Sequence, residues 1–174
     1  MKRLYILRHA KAQKAGPGQD DHARALTTGG IAEAEAMGRL LRKSGARPER
    51  ALISTSARTV ATANLVLGNL KPVPRADYRE ELYLAPAGRI ITMLRRLPAT
   101  LGAAMVVGHN PGLEELAIAL TREPVRRKER ERRAEIEEGF PTAALAVLDF
   151  DIDGWRDLAV GTGKLADFVR PKDP

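Results

Sequence analysis

Leu4-Tyr5-Ile6-Leu7-Arg8-His9-Ala10 opens the chain with an apolar run that stops abruptly at an arginine and a histidine. Residues 3 to 8 combine β-branched, aromatic and large apolar side chains without alternation. That pattern predicts a strand covered on both faces, as in a parallel sheet between helices. Arg8 and His9 then stand at its carboxyl end, where open α/β sheets bind ligands. Taken alone, they fit equally a strand end that happens to carry a histidine.

The same construction recurs. Ala103-Ala104-Met105-Val106-Val107 reads as a second buried strand and runs into Gly108-His109-Asn110-Pro111-Gly112. A helix through Leu113, Leu116, Ala117 and Leu120 follows, with Pro111 suited to its first turn. Two strands that each deliver a histidine to a loop are harder to dismiss than one.

Between them, residues 11 to 25 contain Gly16-Pro17-Gly18 and Asp20-Asp21 and predict a loop over the same face. Thr27 or Thr28 caps a helix whose Ile31, Ala34, Met37, Gly38 and Leu41 fall at three- and four-residue spacing, closed by Ser44-Gly45. Ala51-Leu52-Ile53-Ser54 predicts another short strand. A hydroxyl residue in Thr55-Ser56-Ala57-Arg58 caps the helix that runs to Gly68. Arg58 stands in its first turn, where a cation opposes the helix dipole. A bound anion would account for it, and so would a solvated surface arginine. Further on, Glu80-Glu81-Leu82-Tyr83 precedes a helix marked by Ile90, Met93, Leu94 and Leu97.

The totals narrow the function. With 174 residues and 44% apolar side chains, the chain fits one domain, 1–174, around a sizeable core. Aromatics are only 4%, which leaves few candidates for a base-stacking surface and weakens a single-stranded nucleic-acid role. A net charge of +7 and a pI near 10.0 favour anionic ligands without choosing among them. The absence of cysteine removes thiolate nucleophiles and thiolate metal ligands and fits a reducing compartment. The apolar run after Lys2-Arg3 is too short for a secretory segment or a membrane span, so a cytoplasmic location is expected.

Residues 121 to 138 hold seven basic and six acidic residues, a net of one, which argues against a nucleic-acid patch. Glu123 with Arg127 and Glu129 with Arg133 are spaced to pair along a solvated helix, so 121–140 reads as a charged helical excursion. Ala143 to Asp149 and Trp155 to Val160 predict two strands joined at Asp151-Ile152-Asp153-Gly154, and 164–174 a late-packing or frayed tail.

The scarce residues therefore sit at strand ends and a helix start: His9, His109, Arg8 and Arg58. Phosphoryl transfer needs a nucleophile and donors around the phosphoryl oxygens, and a neutral imidazole supplies the first. At these residues the chain resembles the histidine phosphatase superfamily, with its phosphoglycerate mutase-like fold. Leu7-Arg8-His9-Ala10 is similar to that family's Arg-His-Gly signature, with alanine for glycine. Leu26-Thr27 with Gly30, Ser54 to Arg58 with Thr62-Ala63, Glu81-Leu82-Tyr83 and Val107 to Gly112 are similar to its later segments, in order. The Arg-His-Ala-Lys form, the short length, and Phe140 to Leu145 followed by Trp155 resemble the small phosphohistidine phosphatases of the SixA type.

The resemblance implies an α/β fold, a three-layer αβα sandwich whose mostly parallel central sheet is flanked by helices. It implies His9 as the residue phosphorylated during turnover, with Arg8, Arg58 and His109 around the phosphoryl group. Arg24 is implied as an added phosphate contact and Glu81 as the region of the proton donor. It implies no metal and no cofactor, and as substrate a phosphohistidine protein or a small phosphate ester, with neither nucleic acid nor membrane as partner. A silent phosphate- or nucleic-acid-binding module is the alternative outside enzymology.

Overall fold

The computed structural model describes residues 1–171. Its centre is a six-stranded sheet of order β3-β2-β4-β1-β5-β6, formed by β1 (Lys2–Arg8), β2 (Arg50–Ser54), β3 (Arg75–Arg79), β4 (Ala103–Gly108), β5 (Leu145–Phe150) and β6 (Lys164–Val169). The first four strands run parallel, and β5 pairs antiparallel to both β1 and β6.

Alternation along the strands splits the core into two layers. Leu4, Ile6, Leu52, Ala104 and Val106 face one way, against α3 (Ala87–Arg95) and α4 (Gly112–Leu120). Tyr5, Leu7, Ile53, Met105 and Val107 face the other, against α1 (Thr28–Lys43) and α2 (Ala57–Leu67). Helices thus cover both faces, which is why the central strands read as unbroken apolar runs. Thr27 caps α1 through its hydroxyl and Ser56 caps α2. On α1, Ile31 turns outward at 42% exposure although its spacing matches the buried stripe.

Four expectations change. Residues 155 to 160 form no strand. Trp155–Asp157 is a 3₁₀ turn with the Trp155 indole fully buried, its Nε1 donating to the Leu101 carbonyl at 2.8 Å. The sixth strand is instead Lys164–Val169, within the stretch expected to fray, and the remaining tail positions 172–174 lie outside the described residues. Arg75–Arg79 gave no apolar signal because β3 is a sheet edge, exposed or half-exposed throughout.

The charged excursion is helical only over α5 (Arg127–Glu138), and it is not merely solvated. Glu129 is buried and accepts from Arg122 at 3.0 Å and from the Val125 amide at 3.1 Å. Ile136 enters the core, and Arg132 reaches Asp167 of β6 at 3.3 Å. The surface pairs that form are Arg127 with Glu131 and Arg133 with Glu137, not those read from the sequence.

Candidate active site

Strand register brings the two histidines together. β1 and β4 are neighbours with Arg8 opposite Gly108, so His9 and His109 each stand one residue past a paired position. The His9 amide donates to the Gly108 carbonyl at 3.1 Å, and the two rings lie 5.3 Å apart. On the other side of β4, β2 ends at Ser54, whose hydroxyl meets His109 Nε2 at 2.7 Å. The chain then turns into α2 and delivers Arg58 in its first turn, 2% exposed. A buried guanidinium at that position excludes the solvated-surface reading.

Hydrogen bonding fixes the state of His9. Its Nδ1 lies 2.8 Å from the Ala10 carbonyl, which only accepts, so the proton sits on Nδ1 and the lone pair on Nε2. Burial pushes the His9 pKa down to about 4, with Arg58, Arg8 and Arg24 adding to the shift. The ring is therefore neutral near pH 7 and presents an unprotonated Nε2. Ala10 carries an ordinary negative φ, so the turn needs no glycine. Its amide donates to Thr62 Oγ1 at 2.9 Å, and that hydroxyl donates to the Arg58 carbonyl at 2.7 Å.

Arg58 uses both edges of its fork. Nε points at His9 Nε2 at 3.4 Å and Nη2 at His109 Nδ1 at 3.3 Å, so one edge spans the two rings. The opposite end is held by Asp21: Nη1 donates to its carbonyl at 2.8 Å and Nη2 to its Oδ2 at 3.1 Å. His109 then accepts on Nδ1 and donates from Nε2 to Ser54. Burial first, then His9 and Arg58, push its pKa down to about 3.

Arg24 joins through Asp21, donating Nε to Oδ1 at 2.9 Å and Nη1 to the Gln13 carbonyl at 2.9 Å. Arg8 donates Nη1 to the Phe140 carbonyl at 2.9 Å. It lines a groove of about 350 Å³ together with Asn110, Glu114 and Phe140. Asn110 Nδ2 also donates to that carbonyl, at 2.9 Å, and Glu114 Oε2 accepts from Asn110 and from the Phe140 amide, each at 3.2 Å. This network ties the segment leading into β5 to the arginine of β1.

Glu81 does not join the cluster. It is exposed and lines a separate groove with Arg50, Asp77, Arg79 and Arg96. The carboxylate at the histidines is Asp21, and the hydroxyl beside it is Tyr83, which donates to Asp21 Oδ2. Tyr83 stands edge-on to His109 at 5.4 Å and to His22 at 4.9 Å, with Arg58 over its ring at 5.9 Å. His22 Nε2 in turn meets Thr55 Oγ1 at 3.0 Å. In the sequence Asp21 is legible only as part of a loop and Tyr83 only as part of the Glu81-Leu82-Tyr83 segment, because a loop aspartate and a lone tyrosine carry no periodic signal. The usable sign was Asp21 three residues before Arg24, a spacing that lets the two pair across a short turn. Among the described residues no three His, Asp or Glu side chains gather as metal ligands.

A model of the histidine phosphatase superfamily, branch 1, matches residues 4–100, a span that holds Arg8, His9, Arg58 and Glu81. The chain belongs to the histidine phosphatase superfamily. Membership together with the SixA-type structural neighbours makes it a hydrolase, and its six-stranded αβα architecture is that of the phosphoglycerate mutase-like fold. A candidate phosphohistidine phosphatase SixA from Agrobacterium tumefaciens superposes with a TM-score of 0.81 at 32% identity, covering 98% of each chain. A second SixA candidate, from Nakamurella multipartita, does so at 0.81 and 29% identity, covering 99% of this chain and 97% of its own. The uncharacterized protein Rv1276c of Mycobacterium tuberculosis is 32% identical over 95% of this chain and its own full length.

Proposed function

We propose that the protein hydrolyses phosphohistidine on a protein substrate through a covalent intermediate on His9, without a metal. The observation that carries this reading is the neutral His9 ring, with Nε2 unprotonated and facing the Arg58 edge that also spans His109. Nε2 attacks phosphorus in line, a new P–N bond forms, and the bond to the substrate imidazole breaks as that imidazole takes up a proton. Arg8 and Arg58 supply donors to the phosphoryl oxygens, with His109 bordering the same Arg58 edge and Arg24 behind Asp21 adding positive potential. Water then attacks phosphorus, releasing inorganic phosphate and restoring His9.

An imidazole leaving group is protonated readily near neutral pH, so this reaction depends less on a carboxylic acid than ester hydrolysis does. The exposed position of Glu81 favours the phosphohistidine substrate for that reason. Similarity to the SixA candidates points the same way. We assign the chain as one phosphatase domain over 1–174 acting in the cytoplasm; no described helix is long and apolar enough to cross a membrane.

The test is a trapping experiment. A protein phosphorylated on histidine with ³²P should leave label on His9 after rapid quenching, with turnover unaffected by chelators. Undiminished turnover by His9→Ala would refute the mechanism. Strong hydrolysis of small phosphate esters with no action on phosphohistidine would replace the substrate assignment by a general phosphomonoesterase.

A further inference from the structure

Among the described residues Arg58 is the cation in the site whose three guanidinium nitrogens all face partners within the cluster, and the partners divide by edge. Nε and Nη2, the bidentate side of the fork, face the two histidine nitrogens. Nη1 and Nη2, the end of the fork, are gripped by the carbonyl and carboxylate of a single residue, Asp21. A guanidinium held at its end by two acceptors cannot swing about its Cδ–Nε bond without breaking both, so Asp21 sets the plane in which the bidentate edge lies.

Asp21 is itself constrained. Its Oδ1 takes Arg24, and its Oδ2 takes both Arg58 and the Tyr83 hydroxyl. Tyr83 is in turn wedged between the His22 and His109 rings and lies under the Arg58 guanidinium. The Tyr83 bond first, then Arg58 and Arg24, hold the Asp21 carboxyl down to about 2 against the opposing effect of burial, so it remains a charged acceptor at any working pH.

We propose that Asp21 and Tyr83 are positioning residues: together they aim the Arg58 fork at the phosphoryl group between His9 and His109. The proposal rests on the His9 reading above. Neither residue need touch substrate. Asp21 acts through Arg58, and Tyr83 through Asp21 and the face of His109. A fork aimed at the transferring phosphoryl serves the transition state more than initial binding, so loss of aim lowers kcat before it raises KM. Charge alone predicts the opposite for binding, since removing the carboxylate beside Arg58 and Arg24 strengthens attraction for an anion.

The test compares wild type with Asp21→Asn and Tyr83→Phe, which keep size and ring packing. Turnover of a chemically phosphorylated histidine peptide gives kcat and KM, and displacement titrations give affinities for orthovanadate and inorganic phosphate. Misaiming one donor to a transferring group predicts a kcat loss of about 10- to 100-fold for Asp21→Asn and about 3- to 10-fold for Tyr83→Phe. KM and phosphate affinity should stay within about threefold, while vanadate, the transition-state mimic, weakens in step with kcat. Asp21→Glu should recover part of the loss. Wild-type kcat and vanadate affinity in both variants would overturn the proposal, as would equal weakening of phosphate and vanadate. Vanadate binding is read without turnover, so a wild-type protein that forms no phospho-His9 refutes the earlier mechanism and leaves this comparison decisive.

Discussion

Thr62→Val removes a single hydroxyl and keeps the side-chain shape. Thr62 is fully buried, and its Oγ1 is the acceptor for the Ala10 amide at 2.9 Å. Ala10 is also fully buried, so in the valine variant that N–H has neither protein nor solvent to bond. The Arg58 carbonyl, which the hydroxyl also bonds, keeps its helical backbone partner inside α2 and loses little. The cost is therefore that of one orphaned buried donor, about 1–3 kcal/mol. For a chain of this size each kcal/mol is worth about 2–4 °C in Tm, so the expected drop is about 2–12 °C.

Activity should fall too, because Thr62 pins the amide of Ala10, the same residue whose carbonyl fixes the His9 tautomer. A looser Ala10 lets the ring rotate away from Arg58. Thermal unfolding by circular dichroism and kcat on phosphohistidine peptide measure the two effects. Thr62→Ser is the control: it loses a methyl, at about 0.5–1.5 kcal/mol, but should retain kcat within about twofold. A Thr62→Val protein that melts and turns over like wild type would refute the orphan-donor reasoning. Equal kcat losses in the serine and valine variants would refute the link to His9.

Two further outcomes are expected. Glu81→Gln should leave phosphohistidine turnover within about twofold of wild type, since an exposed carboxylate outside the cluster supplies at most a weak surface contribution; a loss beyond about tenfold in kcat would restore it as proton donor. His9 and His109 have folded pKa values of about 4 and about 3, below the ordinary 6.5, so between those values the unfolded chain binds more protons than the folded one. Stability should fall as pH drops from about 6.5 toward 4, and the fall should be shallower in His109→Gln, as urea unfolding at stepped pH would show. Identical slopes in the two proteins would refute this assignment.

Much of this protein is local in origin and so was readable in its sequence. Unbroken apolar runs such as Leu4 to Leu7 and Ala104 to Val107 require cover on both faces, which dictates an αβα sandwich around parallel strands. Hydroxyl caps at Thr27 and Ser56 and histidines at two strand ends follow from neighbours within a few residues. Sheet register, edge position and burial come from residues far apart in the chain, and only the tertiary structure decided them. β3 lacks an apolar pattern because it lies at the edge, and Lys164–Val169 becomes a strand because β5 offers it a partner. Glu129 reads as a solvated charge until Arg122 and the Val125 amide close over it. At the site, the sequence brought His9, His109, Arg8 and Arg58 into one list. The fold put a loop aspartate and a tyrosine 62 residues apart onto the same guanidinium, and left Glu81 outside, because an exposed charge and a buried one look alike in one dimension.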